Sequence, residues 1–258
     1  MRAVLQGDEG EGATLVYVPG IDGSGELLFA TATRLARRFR LVRLRYEEGG
    51  EDGYEALAAS VVECLDQAGI GQAILLAESF GGAVALQVAL DAPRRIRALA
   101  IVNSFAHYRR RWRLSLARIT APLVPPFLFR IGRRLFSRHT FFGRLPEADV
   151  VEAFCSAGGV QFDRGYRTRL RMIAGLDLRP RLGEVRQPVA LFASGRDRIV
   201  DSRWQASEMA ESLADTSLRE VEDGGHVILP LKGLPWTEWL EEVLARADRC
   251  SMAAGPHE

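Results

Sequence analysis

A chain of 258 residues, 47% hydrophobic and 26% charged, has the length and apolar content of one large domain that buries a substantial core, not of a disordered or fibrous chain. Its formal net charge of +1 gives no whole-molecule reason to expect a polyanionic partner, and nucleic acid is excluded further because no recognition module accompanies the basic residues. Three scattered cysteines, Cys64, Cys155 and Cys250, lack metal-ligand spacing and predict free thiols in a reducing compartment.

Met1 to Gly12 lacks the apolar core of a secretory signal, and no window reaches the ~18 consecutive apolar residues of a membrane span. The expected location is cytoplasmic. Ala3 to Gln6 is an edge-strand candidate, and Ala13 to Val18 a stronger, β-branched strand. It runs into Pro19-Gly20-Ile21-Asp22-Gly23-Ser24-Gly25, a turn expected to open a helix over 26–37. This is not a phosphate-binding loop, because no Gly-Lys-Ser/Thr follows.

Arg40 to Tyr46 reads as the next strand and Gly53 to Ala68 as an amphipathic helix, with Tyr54, Leu57, Ala58, Val61, Val62 and Leu65 on one face. A strand at 73–76, a helix at 82–90 and a strand at Arg97 to Val102 follow. The alternation stops from Asn103 to about Gln187, where helices and Pro-rich turns are predicted. It resumes with a strand at 188–194, a helix at 203–213, a strand at 217–221 and a last helix at 236–247, with a frayed tail after Arg249. Strands alternating with helices predict an α/β fold: a doubly wound, mainly parallel sheet with a helical cap insertion. The expected core is 1–103 and 188–258, and the expected cap is 104–187, over the sheet edge where such folds place their sites.

The stretch Ala77-Glu78-Ser79-Phe80-Gly81 carries the chemistry. An apolar strand, small residues around one Ser and then a helix describe a sharp turn with Ser79 at its apex, exposed as a nucleophile. The backbone N–H of Phe80 opens the helix and suits a developing oxyanion. Gly20 and Gly23 let the earlier loop curl so that the N–H of Ile21 supplies a second donor.

A serine nucleophile needs a base, and the base a third group to orient it. Of four histidines, His257 is in the tail and His107 and His139 lie in the basic insertion, where exposure or a structural role is expected. His226, in Asp223-Gly224-Gly225-His226 after the last strand, is the candidate acid/base. Asp197, in Ser194-Gly195-Arg196-Asp197, is the candidate orienting acid. Asp201 is the rival but falls where a helix N-cap is expected, and Asp223 is close to His226 in sequence. The order Ser79, Asp197, His226 is that of triads on this sheet architecture.

With these motifs assembled, the sequence resembles an α/β-hydrolase-fold serine hydrolase over essentially its whole length. The loop at 19–25 further resembles that of small bacterial α/β-hydrolases and of the hydrolase-like part of plastid phytyl ester synthases. Two positions depart from the pattern: Ala77 replaces the first elbow Gly, and Pro19 replaces the His that many lipases and esterases carry. The resemblance implies two-step acyl transfer without metal or organic cofactor. The expected activity is hydrolysis of carboxylic esters with an apolar acyl group. The alternative is an acyltransferase moving an acyl group from a thioester or lipid donor to an alcohol, and a non-catalytic binding protein is the reading from another class.

Between Ser104 and Pro146 stand ten arginines and no acidic residue, interleaved with Phe105, Tyr108, Phe127, Phe129, Phe136, Phe141 and Phe142. One reading is a cap with an apolar underside and a solvated basic rim. The other is a face that docks to anionic membrane or to an acyl carrier through Arg110, Arg111, Arg133 and Arg134.

Overall fold

The computed structural model describes residues 1–110, 112, 114, 116, 131, 138–145, 147–156 and 164–253. Among the described residues seven strands form one sheet: β1 (Arg2–Glu9), β2 (Ala13–Val18), β3 (Phe39–Glu47), β4 (Ala73–Glu78), β5 (Ile96–Val102), β6 (Val189–Ser194) and β7 (Thr216–Val221). Their spatial order is β1-β3-β2-β4-β5-β6-β7. Only β1 runs antiparallel, so the others deliver their C-terminal ends to one edge.

Helices whose bounds fall within the described residues include α1 (Ala32–Ala36), α2 (Tyr54–Gln67), α3 (Phe80–Asp91), α4 (Ala148–Ser156), α5 (Arg164–Gly175), α6 (Ser202–Ser212) and α7 (Trp236–Ala253). The central strand shows why the sheet is covered twice. All six residues of β4 are buried. Ala73, Leu75 and Ala77 join α2, α3 and α6 in one cluster, while Ile74 and Leu76 join α1 and α7 in the other. A strand buried on both faces reads as a continuous apolar run, and each large side chain so buried contributes on the order of 2 kcal/mol.

Most expected elements lie within one or two residues of their observed bounds, and three differ. The helix expected over 26–37 is only α1, because 26–31 folds as successive turns and the Thr31 hydroxyl donates to the Leu229 carbonyl at 3.1 Å instead of continuing a helix. β1 runs to Glu9 through an irregularity between Leu5 and Gly7. The last helix continues to Ala253 instead of fraying, secured by ion pairs of Arg246 with Asp215 and of Arg97 with Asp248.

The described part of the 104–187 stretch mixes helices with irregular segments and packs into both core clusters: Phe105, Tyr108, Leu170 and Ile173 in one, Phe142, Val150 and Phe154 in the other. Arg111, Arg133, Arg134, Phe127, Phe129 and Phe136 lie outside the described residues, and with them most of the expected basic rim. Arg110 pairs with Asp201 at 3.1 Å, and Arg109 lies 4.6 Å over the ring of Trp204. Among the described residues no helix is long and apolar enough to cross a membrane.

Candidate active site

Ser79 follows β4 directly and adopts φ 50°, ψ −120° before α3 begins at Phe80. A non-glycine residue there costs on the order of 1–3 kcal/mol and persists only where its surroundings fix it. The Ser79 N–H donates to the Val102 carbonyl at 2.9 Å, and its own carbonyl accepts from the Ser104 hydroxyl at 2.6 Å and the Gly82 N–H at 3.1 Å. The small residues expected around the turn are required by contact: a β-carbon on Gly81 would collide with the Val18 and Pro19 carbonyls, and one on Gly82 with Ser104.

The structure brings the three expected side chains together from three strand ends. His226 Nε2 lies 3.0 Å from Ser79 Oγ, and His226 Nδ1 lies 2.9 Å from Asp197 Oδ2. The other carboxylate oxygen of Asp197 accepts from the N–H groups of Ile199, at 2.8 Å, and Val200, at 3.2 Å. Burial pushes Asp197 up, but His226 and these two amides outweigh it, so the carboxyl titrates below its usual range. Burial pushes His226 down, and the Asp197 charge and hydrogen bond, with a contribution from Glu78, reverse this and raise it.

The rival acids go elsewhere. Asp201 does occupy the N-cap position of α6, yet its side chain makes no capping bond; it sits at φ 59° and turns its carboxylate to Arg110. Asp223 accepts from Arg196 Nε at 2.9 Å. His107 is buried and pairs with Glu208 at 3.1 Å, a structural role, whereas His139 is exposed. His257 lies outside the described residues.

Phe80 opens α3, so its N–H is one of those with no intrahelical acceptor, at the positive end of the helix dipole. Ile21 lies in the facing loop. That loop is closed by Gly23 N–H to Gly20 carbonyl at 3.1 Å, and tied to β3 by the Tyr46 N–H, 2.8 Å from the Gly23 carbonyl, and the Tyr46 hydroxyl, 3.0 Å from the Pro19 carbonyl. Gly23 at φ 69° and Gly25 at φ 73° adopt the backbone that glycine permits.

Three further contributors were not legible in the sequence. Arg169 of α5, 3% exposed, reaches the loop and donates from Nε to the Ile21 carbonyl at 2.6 Å and from a terminal nitrogen to the Asp22 carbonyl at 3.3 Å. Asn103, at φ 47° just past β5, donates from its amide nitrogen to Ser194 Oγ and to the carbonyls of Gly225 and His226, and accepts from the Ser194 N–H, all at 2.9–3.0 Å. It fixes the backbone of the histidine loop against β6. Glu78, buried and next to Ser79 in the chain, accepts from the Tyr17 hydroxyl at 2.6 Å; burial first and Asp22 second raise its carboxyl to about 7.

Among the described residues no three His, Cys, Asp or Glu side chains converge as metal ligands. The arrangement can deprotonate Ser79, hold the resulting imidazolium against Asp197, and present backbone amides to an oxyanion.

Known proteins share the fold. A chain from Azorhizobium caulinodans, provisionally named carbamate hydrolase RutD, is 27% identical over 235 residues, 84% of this chain and 85% of that one. The enol-lactonase of Burkholderia xenovorans superposes with a TM-score of 0.80 at 18% identity, covering 94% of this chain and 96% of that one. A thermophilic esterase of Thermogutta terrifontis gives 0.79 at 18% identity, over 95% and 93%. The family model described as alpha/beta hydrolase fold matches residues 15–232. With the seven-stranded sheet and the elbow at Ser79, that match places this chain, a hydrolase, in the α/β-hydrolase fold family.

Proposed function

We propose that this hydrolase cleaves carboxylic esters with an apolar acyl group through a covalent acyl-serine. The observation that carries the reading is the unbroken contact from Ser79 Oγ through His226 to Asp197, with Ser79 held at the apex of a strained elbow.

In this reading His226 Nε2 accepts the Ser79 proton as Oγ attacks the acyl carbonyl carbon. Asp197 accepts the Nδ1–H bond, fixes the tautomer and stabilises the imidazolium. The amides of Phe80 and Ile21 hold the oxyanion. His226 then gives its proton to the departing alkoxide, and the acyl-enzyme forms. A water deprotonated by the same nitrogen attacks next, releasing the acid and returning the proton to Ser79.

The test is a series of p-nitrophenyl esters from acetyl to palmitoyl, with Ser79→Ala alongside. A burst and turnover lost in Ser79→Ala, by about 10⁴-fold or more, support the reading. A Ser79→Ala protein that behaves as wild type ends it. Adding a long-chain alcohol and a carbamate to the same series distinguishes acyl transfer to an alcohol, and carbamate cleavage, the reaction named for the Azorhizobium relative.

A further inference from the structure

We propose that Glu78 and Asp22 hold one proton between them, and that this proton fastens the 19–25 loop to the nucleophile elbow and keeps the floor of the oxyanion site at a single negative charge. The kinetic half of this inference rests on the acyl-transfer reading above; the location of the proton does not.

The two carboxyl groups face the same bare position: a β-carbon on Gly20 would lie 3.5 Å from Glu78 Oε1 and 3.6 Å from Asp22 Oδ1. Asp22 Oδ2 is occupied by the N–H and hydroxyl of Ser24, whereas Oδ1 is buried and has no hydrogen-bond partner. A buried carboxylate oxygen without a donor is costly, and the nearby donors are spent. The Tyr17 hydroxyl, from β2, and the Gly20 N–H serve Glu78. The Tyr46 hydroxyl, from β3, serves Pro19, and the ring nitrogens of His226 face Ser79 and Asp197. Arg169, from α5, donates to the carbonyls of Ile21 and Asp22. A protonated Glu78 supplies what Asp22 lacks.

Buried Glu78, facing the charge of Asp22, resists ionisation, so it retains its proton until the pH rises. Its loss to solvent takes the pair from one negative charge to two. Repulsion then pushes Asp22, and Ile21 with it, away from the elbow, and the added charge opposes the oxyanion. Ionised Glu78 also favours the imidazolium of His226, which keeps the base protonated when it must be free. Glu78 and Asp22 are therefore positioning residues acting through the loop and the histidine.

The experiment pairs kinetics with infrared spectroscopy. In the wild type, kcat/KM for a p-nitrophenyl ester should fall on the alkaline side by about tenfold per pH unit, the slope of one ionisation. In Glu78→Gln that limb should vanish and the acid limb move to lower pH. The infrared spectrum should contain a protonated-carboxyl C=O band that bleaches as pH rises through neutrality and is absent in Glu78→Gln. In Asp22→Asn, which removes the repelling charge, the band should bleach at lower pH. A wild-type profile without an alkaline limb, or one unchanged in Glu78→Gln, overturns the kinetic half. No carboxyl band titrating near neutrality, or an Asp22→Asn midpoint equal to wild type, overturns the shared proton. Should Glu78→Gln fail to fold, the wild-type and Asp22→Asn spectra still decide. Should the wild type turn over no ester, the hydrolase reading falls while the band titration still tests the proton.

Discussion

Arg169 Nε donates to the carbonyl oxygen of Ile21 at 2.6 Å, joining α5 to a loop 148 residues earlier in the chain. The guanidinium also reaches Asp22 and lies 6.0 Å over the ring of Tyr46. One buried side chain thus sets where the Ile21 peptide stands relative to the elbow. Charge-assisted bonds of this kind are worth about 1.5–3 kcal/mol, and a lysine cannot reproduce the planar fork. Arg169→Lys should lower kcat by about ten- to a hundredfold with a smaller change in KM. Steady-state kinetics on the best p-nitrophenyl ester checks this, and a change confined to KM would place Arg169 in substrate binding.

Asn103 makes the second prediction. Its amide nitrogen faces the carbonyls of Gly225 and His226, and its oxygen faces the Ser194 N–H. Asn103→Asp keeps the shape but turns an acceptor toward two carbonyl oxygens. Stability should fall by about 2–4 kcal/mol, with kcat falling alongside because the backbone of His226 is released. Urea unfolding and kinetics measured together test this; a stable variant with normal kcat would mean the histidine loop is held without Asn103.

These two residues show what the sequence could not disclose. Ser79, Asp197 and His226 each stand in a short local pattern at a strand end, and the parallel alternation of strands and helices brings such ends to one edge, so residue type and chain order sufficed to expect the three side chains in contact. Asn103 and Arg169 act on partners 91 to 148 residues away, mostly through backbone atoms that carry no residue identity. Arg169 is also one among 34 cationic side chains, and nothing local separates it from a solvated arginine. Asn103 left one signal: an Asn directly after a buried strand, a residue type that tolerates the left-handed backbone it adopts. Glu78 was in view as part of the elbow, but a carboxyl raised by burial looks no different in sequence from one exposed to water. The helix expected over 26–37 failed for a related reason, since the Thr31 bond to Leu229 crosses the fold.

Stability should fall as pH rises through neutrality. Glu78 is raised from an ordinary carboxyl value of 4.5 to about 7, burial being the first cause and Asp22 the second. A carboxyl raised in the folded state binds its proton more tightly there than in the unfolded chain. Its protonated form therefore supports the fold at acid pH, and that advantage is lost between about 4.5 and about 7. The loss is on the order of 3 kcal/mol. His226, also raised, contributes in the same direction: stability present below its ordinary 6.5 and lost above it. Asp197, lowered, acts in the opposite sense but below this window. Denaturant unfolding at pH 5 and pH 8 should show the fall, and Glu78→Gln should flatten most of it. An unchanged slope in Glu78→Gln would assign the pH dependence to other groups.

The last prediction concerns Ser79 itself. Ser79 stands at φ 50° with ψ −120°, a backbone that side chains disfavour and glycine adopts freely. Four neighbouring features hold it there: the bonds to Val102, Ser104 and Gly82, and the close packing of Gly81 on the end of β2. Ser79→Gly should abolish ester turnover and raise stability by about 1 kcal/mol, because relief of strain outweighs the added freedom of the unfolded chain. Ser79→Ala should abolish turnover equally without that gain, since alanine keeps the β-carbon that makes this backbone unfavourable. Thermal unfolding of the three proteins separates the effects. A glycine variant less stable than the alanine one would mean that the bonds around the turn relax once the β-carbon is removed.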